Sequence, residues 1–93
     1  MANKGRLSPE EVRARVASLT DWGLAGDAIR RRYKFGSFKE SIAFVNRVAE
    51  LAERADHHPD ILIEYDKVTL TLSSHDAGGL TERDFSLARS IDA

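Results

Sequence analysis

The chain has 93 residues, a formal net charge of -1 and no cysteine. Its length fits one domain spanning 1–93, and 42% hydrophobic with 31% charged residues is a globular composition, not a disordered one. Near-neutral charge offers no global field for nucleic acid or an anionic membrane, and the lack of cysteine removes disulfides, thiolate metal sites and thiol nucleophiles.

The N-terminal stretch MANKGRLSPEE has no apolar leader region, and no run is apolar enough to span a bilayer, so the expected setting is cytoplasmic and reducing. A first helix starts at Leu7-Ser8-Pro9-Glu10-Glu11-Val12. Ser8 is the expected cap, Pro9 the first helical residue and Glu11 the closing member of a capping box, with Leu7 and Val12 as hydrophobic staple. Trp22-Gly23-Leu24 is a short strand, and Gly26-Asp27 turns it into AIRRRYKF (28–35), whose period of two places Ile29, Tyr33 and Phe35 inward. Arg31 interrupts that inward row. Ser37 and Glu40 open a second helix with the same Ser-x-x-Glu box, and Ile42, Val45, Val48, Ala49 and Ala52 form its apolar stripe. ILIEY (61–65) and KVTLTLSS (67–74) form a hairpin around an expected turn at Asp66-Lys67. Gly78-Gly79 reads as a turn with positive φ. Thr81 then caps a last helix, with Asp84 three residues on and Leu80 and Phe85 as staple. The order α-β-β-α-β-β-α predicts an α+β fold in two layers: a four-stranded antiparallel sheet covered on one face by three helices.

All three histidines fall near the open end of the second hairpin. His57 and His58 precede its first strand, and His75 follows its second. In an antiparallel hairpin those two ends are neighbours, so the three rings are expected to converge on a common cavity. Pro59 biases His58 out of the helical region, so the second helix should end just before or within this motif. If the second helix reaches His57, Glu53 lies one turn below it and can orient the ring. Imidazoles titrate near neutral pH and suit general acid/base chemistry. Purely structural roles are the bland alternative. A three-histidine zinc site is the other rival, but adjacent residues on extended chain point apart and none of the usual ligand spacings occurs, so no metal is expected.

Glu53, His57-His58-Pro59, Tyr65, His75 and Asp84 follow the order acidic residue, His-His-Pro, aromatic, His, Asp that is found in the pterin-4a-carbinolamine dehydratase family. The stretches WGLAGDAI, FVNRVAELAERADHHPDI and YDKVTLTLSSHDAGGLTERDFSLA resemble that family as well, from about Trp22 to Ile91. The resemblance implies helices on one face of a four-stranded antiparallel sheet. It also implies conversion of a 4a-hydroxytetrahydropterin to quinonoid dihydropterin and water, which recycles the cofactor of aromatic amino acid hydroxylases. His57 and His75 would act on the 4a-hydroxyl, His58 would mainly bind the pterin, Glu53 would tune His57, and Asp56, Asp60 and Asp84 would contact substrate or support the site. For Asp84 the capping box is a competing and sufficient reason; for Tyr65 the competing reason is a place in the core. No cofactor beyond the pterin substrate is implied. The family resemblance further implies a homodimer or homotetramer, for which the Trp22–Leu24 edge is available. Arg30, Arg32 and Lys34 belong to a solvated strand face, so they are not expected to bind nucleic acid. The alternative function is a non-catalytic interaction module on the same fold, a transcriptional coactivator or an assembly factor. The joint presence of Glu53 and all three histidines favours catalysis.

Overall fold

The computed structural model describes residues 5–93; residues 1–4, at the head of MANKGRLSPEE, lie outside the described residues. The order is α1 (Pro9–Ala17), β1 (Gly23–Ala25), β2 (Ala28–Lys34), α2 (Phe38–Ala55), β3 (Asp60–Glu64), β4 (Lys67–Leu72), a 3-10 turn (His75–Ala77) and α3 (Glu82–Asp92). The strands form one antiparallel sheet in the order β1-β2-β4-β3. This is the α+β arrangement that the periodicities predict.

Alternation decides which sheet face is covered. Ile29 pairs with Leu72 and Tyr33 with Val68, and Val68, Leu70, Leu72 and Ile29 are fully buried. From the helices, Val12, Val48, Phe85 and Ile91 close this core. The opposite face carries Arg30, Arg32 and Lys34, all exposed. Arg31 shares the inward face without breaking it. Its guanidinium lies 4.4 Å from the Tyr33 ring centre and donates at 3.0 Å to Asp92 at the end of α3.

Caps and turns explain the local differences from expectation. The reciprocal boxes form at Ser8/Glu11 and Thr81/Asp84. At the second box only half forms: Ser37 accepts from Glu40 N, whereas the Glu40 carboxylate turns to Gly36 N at 2.8 Å. On α2, Ala49 faces solvent, while Ser41, Val48 and Ala52 are buried. The β3–β4 loop is Tyr65-Asp66, one residue earlier than expected, because Glu64 pairs with Lys67. Tyr65 takes φ of 58° there and stands 68% exposed, so it is not a core aromatic. The turn also places Tyr65 at the far end of the hairpin from the histidines, roughly 16 Å along a five-residue strand. Gly78 does adopt positive φ, at 73°.

Candidate active site

The site begins where α2 stops. Asp56 adopts the left-handed conformation (φ 49°, ψ 44°), and its N–H and that of His57 close back onto the last carbonyls, Ala52 O among them. His57 therefore lies beyond the helix, and the expected Glu53–His57 stacking on one helical face does not occur. The reversal swings His57 inward, to 8% exposure, and leaves His58 outside. Glu53 meets His58 instead, oxygen to Nε2 at 2.5 Å, in a pair exposed to solvent.

The partner of His57 comes from α3. Its Nε2 lies 2.6 Å from Asp84 Oδ1, and Asp84 is fully buried. The other oxygen, Oδ2, accepts from Thr81 N at 2.9 Å and from Ser74 Oγ at 2.8 Å. The capping role and the site role of Asp84 are thus not alternatives: one oxygen closes the helix cap and the other holds the ring. Both oxygens are taken by protein donors, and Asp84 has no exposed surface in the protomer. A carboxylate only accepts, so Nε2 of His57 carries the proton and Nδ1 is the nitrogen left for other partners. His57 borders a groove of about 530 Å³ between α2 and α3, together with Arg54, Glu82 and Arg83.

The β3–β4 register pairs Asp60 with Thr71, which places the segment before Asp60 and the segment after Leu72 at the same end of the sheet. His75 follows there, exposed, and its side chain makes no hydrogen bond or ion pair among the described residues. The two histidine segments meet through Asp84, which bonds both His57 and the residue immediately before His75. The three rings do not line one enclosed cavity in the protomer: His57 borders the helix groove, and His58 and His75 stand on the surface. Asp56 is the exposed cap of α2. Asp60 lies on the open sheet face, beside Arg30 and Arg32. Neither carboxylate is hydrogen-bonded among the described residues. No group of three or more His, Asp or Glu side chains among them is placed to hold a metal ion.

Ser74 was the residue that sequence reasoning overlooked. The signal was available: Val68, Leu70 and Leu72 point inward, and the same period puts Ser74 inward, a hydroxyl at a core position.

A family model described as pterin 4 alpha carbinolamine dehydratase matches residues 5–93. The chain belongs to this family. A relative from Picosynechococcus sp. is 51% identical over 87 residues, covering 94% of this chain and 95% of its own. One from Acidobacterium capsulatum is 53% identical over 88 residues, covering 95% and 96%. Both bear the name "putative pterin-4-alpha-carbinolamine dehydratase". Among solved structures, a transcriptional coactivator/pterin dehydratase from Brucella melitensis superposes with TM-score 0.89 at 34% identity, over 94% of this chain and 95% of that one. A pterin dehydratase-like protein described as a RuBisCO assembly factor in the alpha-carboxysome gives TM-score 0.66 at 28% identity, over 78% and 87%. Among the described residues no helix is long and apolar enough to cross a membrane.

Proposed function

We propose that this chain dehydrates a 4a-hydroxytetrahydropterin to quinonoid dihydropterin by histidine acid/base catalysis. The observation that carries the reading is the His57–Asp84 pair within the family motif: a ring fixed by a buried carboxylate, its second nitrogen without a hydrogen bond among the described residues. The reaction breaks the C4a–O bond, removes a proton from the adjacent ring nitrogen and forms the C=N double bond; hydroxyl plus proton leave as water. Nothing is oxidised or reduced, so the step calls for no redox cofactor. It needs one group to protonate the departing oxygen and one to take the ring proton.

In this reading His57, through Nδ1, and His75 exchange those two protons from opposite chain segments. His58, steered by Glu53, binds the pterin, with Asp56 and Asp60 as further hydrogen-bonding groups. Asp84 is a positioning residue. The substrate class is what aromatic amino acid hydroxylases release, and the protein works as a homo-oligomer. Both sheet edges are available for assembly, and Ile61 and Leu62 on β3 are exposed.

Stopped-flow dehydration of freshly generated 4a-hydroxytetrahydropterin tests the assignment. His75→Ala removes an exposed ring, so far-UV circular dichroism should stay unchanged while the rate falls by about 10²–10⁴. A His57→Gln/His75→Ala double variant as fast as the parent would refute it. The fold neighbours described as a coactivator and an assembly factor keep a binding role in play. A parent chain with no turnover would favour that role.

A further inference from the structure

We infer that Ser74 is a positioning residue for this chemistry, setting His57 and His75 relative to one another; the inference rests on the dehydratase reading above. Ser74 is 1% exposed and lies between the two histidine segments. Its backbone governs the His75 side. Ser74 N donates to Gly79 O at 3.0 Å and Gly79 N returns to Ser74 O at 3.3 Å, closing the short turn whose first residue is His75. Its side chain governs the His57 side, through the Asp84 carboxylate.

The protons in this network run one way. Asp84 accepts only, so the Ser74 hydroxyl proton goes to Oδ2. Ser74 Oγ and Thr81 Oγ1 are 2.8 Å apart, and with the serine proton spent, Thr81 donates to Ser74. Thr81 Oγ1 in turn accepts from Arg83 N at 3.2 Å. Every proton in this chain points toward the oxygen atoms of Asp84, and His57 Nε2–H completes the set. Such a chain holds the carboxylate in one orientation and one acceptor state, and thereby keeps Nδ1 of His57 as the nitrogen turned to substrate. Deleting the Ser74 hydroxyl removes a donor from Oδ2 and an acceptor from Thr81. Asp84 can then rotate within its site, and His57 follows it. The charged groups that line the same groove as His57 are Arg54 from α2 and Glu82 and Arg83 from α3.

The test pairs Ser74→Ala with Ser74→Thr, which keeps the hydroxyl. Imidazole nitrogen NMR on the full chain reads the His57 tautomer and its titration with no substrate present. Stopped-flow dehydration of 4a-hydroxytetrahydropterin reads kcat and KM separately. In S74A the His57 nitrogen shifts should move toward a mixed tautomer, kcat should fall roughly tenfold to a hundredfold, and KM should stay within about twofold. In S74T the nitrogen shifts and kcat should return toward the parent, with KM again unchanged. Should S74T fail to fold, S74A decides alone. Unchanged His57 shifts in S74A, or altered shifts with parental kcat, would overturn the role of Ser74 and leave the dehydratase reading standing. A parent with an intact His57 tautomer but no turnover would overturn the dehydratase reading, and the positioning role with it.

Discussion

The two ends of α3 each carry an aspartate that gathers three donors, yet the two sites are built for different ends. Asp84, in the first turn, holds His57 Nε2, Ser74 Oγ and Thr81 N, and is fully buried. Asp92, at the last turn, holds Trp22 Nε1 at 2.7 Å, Arg31 Nη1 at 3.0 Å and Tyr33 Oη at 2.6 Å. Its side chain retains 23% of its exposure. The difference lies in the partners. Arg31 is charged at any accessible pH, so Asp92 is a fixed clamp of helix to sheet. Among the described residues the Arg31 Nε is buried with no hydrogen-bond partner, and the attraction of the guanidinium to Asp92 and to the Tyr33 ring offsets that desolvation. Asp84 faces no permanent cation in its bonded set. Its main partner is a ring that can gain or lose a proton at its other nitrogen. A carboxylate paired with a guanidinium ends its influence there; one paired with an imidazole passes it on.

The largest effect is expected at Asp84. Asp84→Ala strands three buried donors, each costing about 1–3 kcal/mol when unsatisfied, so urea denaturation should show a loss of about 3 kcal/mol or more. The nearly isosteric Asp84→Asn should lose less stability but still depress dehydration sharply, because its NH₂ group cannot accept from the protein donors. Asp92→Ala should come second, at about 1–2 kcal/mol with parental turnover, since Asp92 and two of its donors, Arg31 and Tyr33, are partly solvated and the cluster sits at the other end of α3 from Asp84. If Asp92→Ala slowed dehydration as much as Asp84→Asn, the distinction between clamp and site would fail.

How much of this could be read beforehand follows from the range of each interaction. The helix starts, the strand periods and the hairpins are local, and Ser8, Thr81 and the Val68-Leu70-Leu72 alternation announced them. The gathering of the histidine segments at one sheet end followed from hairpin geometry alone. The pairing within that end did not, because it turned on one residue: Asp56 in the left-handed conformation, which moved Glu53 from His57 to His58. An aspartate tolerates that conformation without requiring it, so sequence gave no warning. The turn at Tyr65-Asp66 escaped for the same reason, since a tyrosine at positive φ is uncommon. The Asp92 hub was out of reach, because it joins residues 59 to 70 positions apart. Arg31 did mark it, as a charge in an otherwise apolar row.

The finest test of the comparison is a pH dependence that belongs to the Asp92 end alone. Burial, and then the hydrogen bond from Tyr33 to the Asp92 carboxylate, push the Tyr33 phenol well above its ordinary value of 10.0. The folded state therefore holds the phenolic proton more tightly than the unfolded chain does. That contribution to stability is fully present below about pH 10 and is lost progressively as pH rises from there toward the raised folded value. Melting temperature followed between pH 8 and about 11 should fall more steeply in the parent than in Tyr33→Phe, which has no phenol to titrate. Tyr33→Phe should start lower, having lost its bond to Asp92, and the two curves should converge as pH rises. Asp92→Ala should flatten the parental curve in part, because it removes both the hydrogen bond and the charge of Asp92 and leaves the burial. Parallel curves for parent and Tyr33→Phe would mean that the phenol does not feel its burial or Asp92, and the clamp would then rest on Arg31 and Trp22.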